Sequence, residues 1–140
     1  MNHHRGEISF PGGVRQPEDA DLLETALRET WEEIGIPPAE VRVLGVLDDF
    51  SSVHGYLVTP YVGIIPGEHP LRVNAAEIER LIEVPLPHLL RPEIFRTEEW
   101  SWQGRTYPVH FYTYGDDEIW GLTAAILKQF LDIVFGSEKR

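Results

Sequence analysis

The chain has 140 residues, 42% of them hydrophobic and 25% charged, which is enough for one domain with its own apolar core. It contains no cysteine, so disulfide scaffolds, thiolate metal sites and cysteine nucleophiles are excluded. With a formal net charge of -11 and no lysine before Lys128, it lacks the cation clusters that sequence-independent nucleic-acid binding needs.

Residues 3–10 end in Glu-Ile-Ser-Phe, where Ile8 and Phe10 alternate with polar neighbours and predict a short strand. His3-His4 reads as an exposed terminus. Pro11-Gly12-Gly13 breaks the strand and opens a polar loop over residues 14–19. Residues 21–34 predict a helix, capped by Asp19 or Asp21 and stopped by Gly35 and Pro37-Pro38. Leu22, Leu23, Ala26, Leu27, Thr30 and Ile34 fall on one stripe roughly 140° wide, the face expected to be buried.

Residues 41–50 and 56–65 predict two strands joined by residues 51–55, with a loop over 66–70. A helical turn is expected within 74–80, then a short strand over 82–86 running into a helical turn at 88–90. Residues 93–102 and 105–114 predict an aromatic-rich hairpin around Gln103-Gly104. A final amphipathic helix is expected over 122–135, with Ala125, Ile126, Phe130, Ile133 and Val134 as core positions. Substantial helices between strands indicate one α/β (α+β) domain. No apolar run approaches the ~20 residues of a membrane span and no signal-peptide core is present, so no membrane association is expected and the location is read as cytoplasmic.

The densest chemistry lies at Arg28-Glu29-Thr30-Trp31-Glu32-Glu33. Glu29, Glu32 and Glu33 share a helix face roughly 100° wide, where like charges repel by a few tenths of a kcal/mol per pair. A hard divalent cation relieves that repulsion and also accepts phosphate oxygens. A solvated acidic face is the competing reading, and spacing alone does not decide between them.

Residues 13–36 resemble the Nudix box, G-x5-E-x7-R-E-U-x-E-E-x-G-U with U a bulky aliphatic residue. Arg28, Glu29, Glu32, Glu33, Gly35 and Ile36 match in register. The loop is one residue longer than the general pattern, Asp19 stands at the leading glutamate position, and Thr30 replaces an aliphatic residue. Gly6-Glu7-Ile8-Ser9-Phe10-Pro11-Gly12-Gly13 and Ile119-Trp120-Gly121-Leu122-Thr123-Ala124 resemble signatures of the coenzyme A pyrophosphatase subgroup. The L-L-T-x-R part of that subgroup's motif falls before Met1, and Asn2 stands at its second arginine. The expectation is therefore a single domain, 1–140, short of its first strand or strands.

This resemblance implies a Nudix fold, with a mixed β-sheet sandwiched between helices. It implies metal-dependent hydrolysis of a diphosphate, with coenzyme A or an acyl derivative as the small-molecule substrate. Mg²⁺ or Mn²⁺ would be held by Glu29 and Glu33, with Glu32 as a third ligand or water contact and the Gly12 carbonyl as a further ligand. Glu29, Glu32 and Arg28 are the catalytic candidates, Glu29 as an alternative general base and Arg28 orienting a glutamate by a charge-assisted hydrogen bond. Glu77 matches a common family position, and Glu98 or Glu99 is a weaker metal candidate whose simpler role is solvated charge. His110, Trp100, Trp102, Tyr107, Phe111 and Tyr112 read first as packing and second as substrate contacts. Another nucleoside diphosphate derivative, a nucleoside triphosphate, or a non-catalytic binding role are the alternatives. A homodimer is neither indicated nor excluded.

Overall fold

In the computed structural model, which describes residues 7–52 and 54–136, the helix expected near the N-terminus is α1, Leu22–Ile34. Its start is fixed reciprocally: the Glu24 N–H donates to Asp21 at 2.9 Å, and the Glu24 carboxylate accepts the Ala20 N–H at 2.6 Å. Its end is fixed by Gly35, whose φ of 80° is left-handed backbone and whose N–H reaches the Trp31 carbonyl at 3.0 Å. Of the predicted buried stripe, Ile34 is buried and Leu22 is exposed. Thr30 fits an aliphatic position because its hydroxyl is satisfied by the Ala26 carbonyl one turn back, at 2.8 Å.

The residues form two compact units, one of Phe10–Ile82 and the other of Glu7–Ser9 with the chain from Glu83 onward. In the first, β1 (Arg42–Val46) pairs antiparallel with β4 (Tyr61–Ile64), and β2 (Phe50–Ser51) with β3 (Leu57–Val58). The two long strands read from sequence are thus each divided. Pro60 has no N–H for a ladder and separates β3 from β4, its carbonyl accepting the Leu47 N–H at 2.8 Å. The register slips between Val43 and Gly45, a bulge at Leu44.

In the second unit, α2 (Leu86–Leu89) precedes β5 (Phe95–Trp102), β6 (Arg105–Tyr114), β7 (Asp117–Trp120) and α3 (Gly121–Phe135). The turn between β5 and β6 has positive φ at both Gln103 (51°) and Gly104 (75°), as a two-residue hairpin requires. Alternation assigns the faces: Phe95, Tyr112 and Ile119 stand in register on one side, Arg96, Phe111 and Trp120 on the other. The first face meets Ala124, Leu127 and Leu131 of α3, together with Leu89. Fully burying a large apolar side chain such as Leu131 contributes roughly 1.5–3 kcal/mol. On the second face the Arg96 guanidinium lies 4.1 Å from the Phe111 ring centre, held by Glu98 and Glu118.

Three expectations are corrected. Residues 7–10 form no strand; the rest of that predicted strand, with His3-His4, lies outside the described residues. Residues 82–85 form no strand either, since Pro85 instead starts α2. The buried side of α3 is Ala124, Ile126, Leu127 and Leu131, while Ile133 and Val134 are exposed. Every strand pair among the described residues is antiparallel, and the α+β class holds.

Candidate metal centre

Glu29 and Glu33 stand one helical turn apart on α1, so their side chains leave the same face. Glu77 joins them from the loop before α2, and one ligand oxygen from each lies within 4.8 Å of the other two. The backbone explains how a residue so distant in sequence arrives there. The Arg72 N–H donates to the Ile34 carbonyl at 2.8 Å, and the Asn74 N–H donates to the Glu33 carbonyl at 2.9 Å. These bonds satisfy carbonyls that the end of a helix leaves open, and they stitch residues 72–74 to the last turn of α1. Gly35 permits the approach, since a Cβ there would sit 2.9 Å from the Arg72 Cβ.

The Pro-Gly-Gly loop closes the other side. A Cβ on Gly13 would overlap the Glu29 carboxylate, so glycine is the residue that lets loop and acid meet. Gly12 contributes its N–H, which donates to Glu33. Half-buried and hydrogen-bonded to Glu29, Glu33 has its pKa pushed up to about 8, chiefly by loss of hydration and then by the Glu29 hydrogen bond and charge. The Gly12 N–H opposes this, and the Glu77 charge adds to it. At neutral pH these effects favour the protonated form of Glu33 in the metal-free cluster.

Arg28 is the clamp beside the cluster. Its Nε and Nη2 each donate to Asp19 at 3.0 Å, and Nη2 also reaches the Val14 carbonyl at 3.2 Å. Its Nη1 donates to Glu29 and to Glu32 at 3.3 Å. Asp19 additionally accepts the Gln16 N–H and the Thr25 hydroxyl, both at 2.9 Å. It is 3% exposed through this close wrapping by its own loop rather than by depth in a core. The Arg28 hydrogen bonds, then the Gln16 N–H, hold the Asp19 carboxyl well below the usual carboxylate range. The same pairing raises the Arg28 pKa, so the guanidinium stays charged.

The sequence candidates thus separate. Glu29 and Glu33 come together, with Gly12 against Glu33. Glu32 is turned to Arg28 and is not one of the three clustered acids; Glu77, matched from sequence only as a family position, takes that place. Glu98 is engaged by Arg96 and by the Trp100 indole N–H, at 2.9 and 3.0 Å, and neither it nor Glu99 joins a metal-capable cluster among the described residues. His110 shares a 2.9 Å hydrogen bond with Thr97 and packs on Phe95. Its pKa is lowered by burial and then by the Lys128 charge. Phe111, Trp100 and Trp120 pack on one another, and Tyr112 is wholly buried. Asn74 was invisible as a site residue; its only sequence signal is the preference of asparagine for turns.

Three carboxylates form a hard oxygen donor set suited to a divalent cation such as Mg²⁺, Mn²⁺ or Ca²⁺. Two ligands on one Mg²⁺ lie at most about 4.2 Å apart, so the 4.8 Å span needs only slight closure. A half-buried carboxyl crowded by two other acids is also the group a cation would relieve. The fit is good.

A helix-borne acid cluster thus lies beside an Arg–Asp clamp and a Gly-Gly loop, a donor set that fits a divalent cation. The NUDIX domain family matches residues 1–108, and the chain belongs to that family. It is 43% identical over 129 residues to an uncharacterized Nudix hydrolase NudL of Photorhabdus laumondii, covering 92% of this chain and 69% of the relative. Uncharacterized Nudix hydrolases NudL of Yersinia pestis and Yersinia pseudotuberculosis are 39% identical over 128 residues, covering 91% of this chain and 64% of theirs. The chain thus spans about two thirds of the length of these curated relatives. Among the described residues no helix is long and apolar enough to cross a membrane.

Proposed function

We propose that this chain is a divalent-metal-dependent Nudix pyrophosphohydrolase that cleaves the diphosphate of coenzyme A or an acyl derivative, giving adenosine 3′,5′-bisphosphate and 4′-phosphopantetheine or its acyl form. The observation that carries the reaction class is the meeting of Glu29, Glu33 and Glu77 within 4.8 Å. Support for the substrate comes from the segments 6–13 and 119–124, which resemble the coenzyme A pyrophosphatase signatures. In this reading Glu29, Glu33 and Glu77 hold Mg²⁺ or Mn²⁺, with the Gly12 carbonyl as a further ligand.

A divalent cation bound there would neutralise the diphosphate and make the attacking water more acidic. The chain's own residues prepare the site. Arg28 orients Glu29 and ties down Glu32, while Asp19 fixes Arg28 and the loop that brings Gly12 and Gly13 to the acids. Glu33 would give up its proton on binding a cation there. A hydrolysis panel with Mg²⁺ and with Mn²⁺, its products separated by chromatography, tests the substrate. Coenzyme A turnover is expected; strong turnover of another nucleoside diphosphate derivative or triphosphate with none of coenzyme A would reject it.

The proton on Glu33 makes a second expectation. Cation and proton compete for the same oxygens, so Mn²⁺ affinity should rise with pH up to about 8 and level off above it. The steepest rise for one displaced proton is about tenfold per pH unit. Calorimetric titration in two buffers of different ionisation enthalpy reads the released proton directly. Affinity independent of pH across this range would contradict a ligand role for Glu33.

A further inference from the structure

We propose that Asn74 is a positioning residue that sets the Glu77 carboxylate against Glu29 and Glu33, an inference that rests on the metal-site reading above. Glu77 is exposed and sits on a loop, so its backbone placement decides whether its side chain reaches the α1 acids. Asn74 fixes that placement from both directions. Its N–H donates to the Glu33 carbonyl at 2.9 Å, anchoring the loop to the helix residue whose side chain is in the cluster. Its carbonyl accepts the N–H groups of Glu77 and Ile78, each at 2.9 Å, forming the single turn that carries Glu77. Its side-chain oxygen accepts the Ala76 N–H at 3.1 Å, closing an Asx turn inside the same segment.

The main-chain bonds are open to any residue except proline, but the Asx turn is not. It needs an acceptor one carbon beyond Cβ, which asparagine and aspartate share. Alanine has no acceptor, and glutamine places its oxygen one methylene too far. The side chain therefore locks a turn whose output is the direction of Glu77. Residues that orient metal ligands without touching the ion typically alter affinity by about 10–100-fold when replaced.

The test is Mn²⁺ binding by the full chain, followed by calorimetry and by the electron paramagnetic resonance of free Mn²⁺, with metal-free melting recorded for every variant. Asn74→Ala and Asn74→Gln are each expected to weaken Mn²⁺ binding by about tenfold or more, and Asn74→Asp to bind no more weakly than the parent. Adding Asn74→Ala to Glu77→Gln should weaken binding no further than Glu77→Gln alone, because the only ligand it serves is already removed. If Asn74→Ala and Asn74→Gln bind like the parent while Glu77→Gln does not, the role of Asn74 is overturned and the metal site stands. Loss in Asn74→Asp as well, or full additivity with Glu77→Gln, marks a general folding role and also overturns it. If the parent binds no Mn²⁺, the metal-site reading falls and this inference with it.

Discussion

Glu33→Gln is expected to lower metal-dependent turnover by about 10³-fold while making the metal-free protein more stable at pH 8. The two effects have one origin. A metal-stabilised transition state draws several kcal/mol from the cation, and about 4 kcal/mol corresponds to about 10³ in rate. Removing a charged ligand at the centre of the cluster forfeits that term. The folded protein, by contrast, resembles its own Glu33→Gln form whenever Glu33 holds a proton. A glutamine amide can donate to Glu29 as the carboxylic acid does, and its oxygen can accept the Gly12 N–H. The pKa of Glu33 is raised on folding from 4.5 to about 8, so its proton-linked stability is complete below the unfolded value and lost as pH climbs through about 8. The variant has no such loss. Its melting temperature should equal that of the parent near pH 4 and exceed it by a few degrees at pH 8, an effect kept small because Glu33 is only half-buried. Saturating Mn²⁺ should reverse the order by stabilising the parent alone. A variant that turns over as fast as the parent would remove Glu33 from the machinery.

The helix and its acids were legible because their causes are local. Asp21, Gly35 and Pro37 bound α1 by side-chain and φ rules that act within a turn, and the spacing of Glu29 and Glu33 puts them on one face whatever else the chain does. The β5–β6 hairpin was legible for the same reason, through Gln103-Gly104. What escaped was set by partners distant in sequence. The bulge at Leu44 depends on how β1 meets β4. The turning of α3 that buries Leu127 and Leu131 depends on the sheet face beneath it. Glu77 reaches the site through the N–H groups of Arg72 and Asn74, and a main-chain donor leaves almost no trace in residue identity. Glu32 lies outside the three clustered acids and is captured by Arg28 at the preceding turn, which holds Glu29 as well. Helical spacing shows which acids share a face, not which of them a cation on the same face has already paired.

That capture depends on Asp19, and Asp19→Asn is expected to damage both stability and activity with a pH signature opposite to that of Glu33. Asp19 accepts from the Gln16 N–H, the Thr25 hydroxyl and two nitrogens of Arg28. Every one of these partners is a donor. An amide in its place presents its own N–H₂ to at least one of them, leaving a donor facing a donor, and removes the charge opposite Arg28. The loop over residues 14–20 then loses its tie to α1, and Arg28 its fixed pose beside Glu29 and Glu32. Turnover is expected to fall by about 10–100-fold, the scale for a residue that orients ligands without touching the ion. The melting temperature at pH 7 should drop by several degrees. The folded pKa of Asp19 is depressed, so its contribution is present above the unfolded value of 3.8 and is lost as pH falls through the lower folded value. The gap between parent and variant should therefore be widest at neutral pH and narrow steadily below about pH 4, whereas the Glu33→Gln gap opens as pH rises. Melting curves for parent, Asp19→Asn and Glu33→Gln at pH 3, 5, 7 and 8.5, all without metal, separate the two trends. An Asp19→Asn gap that stays constant between pH 7 and pH 3 would mean that shape, rather than the charge held against Arg28, is what Asp19 supplies to the loop.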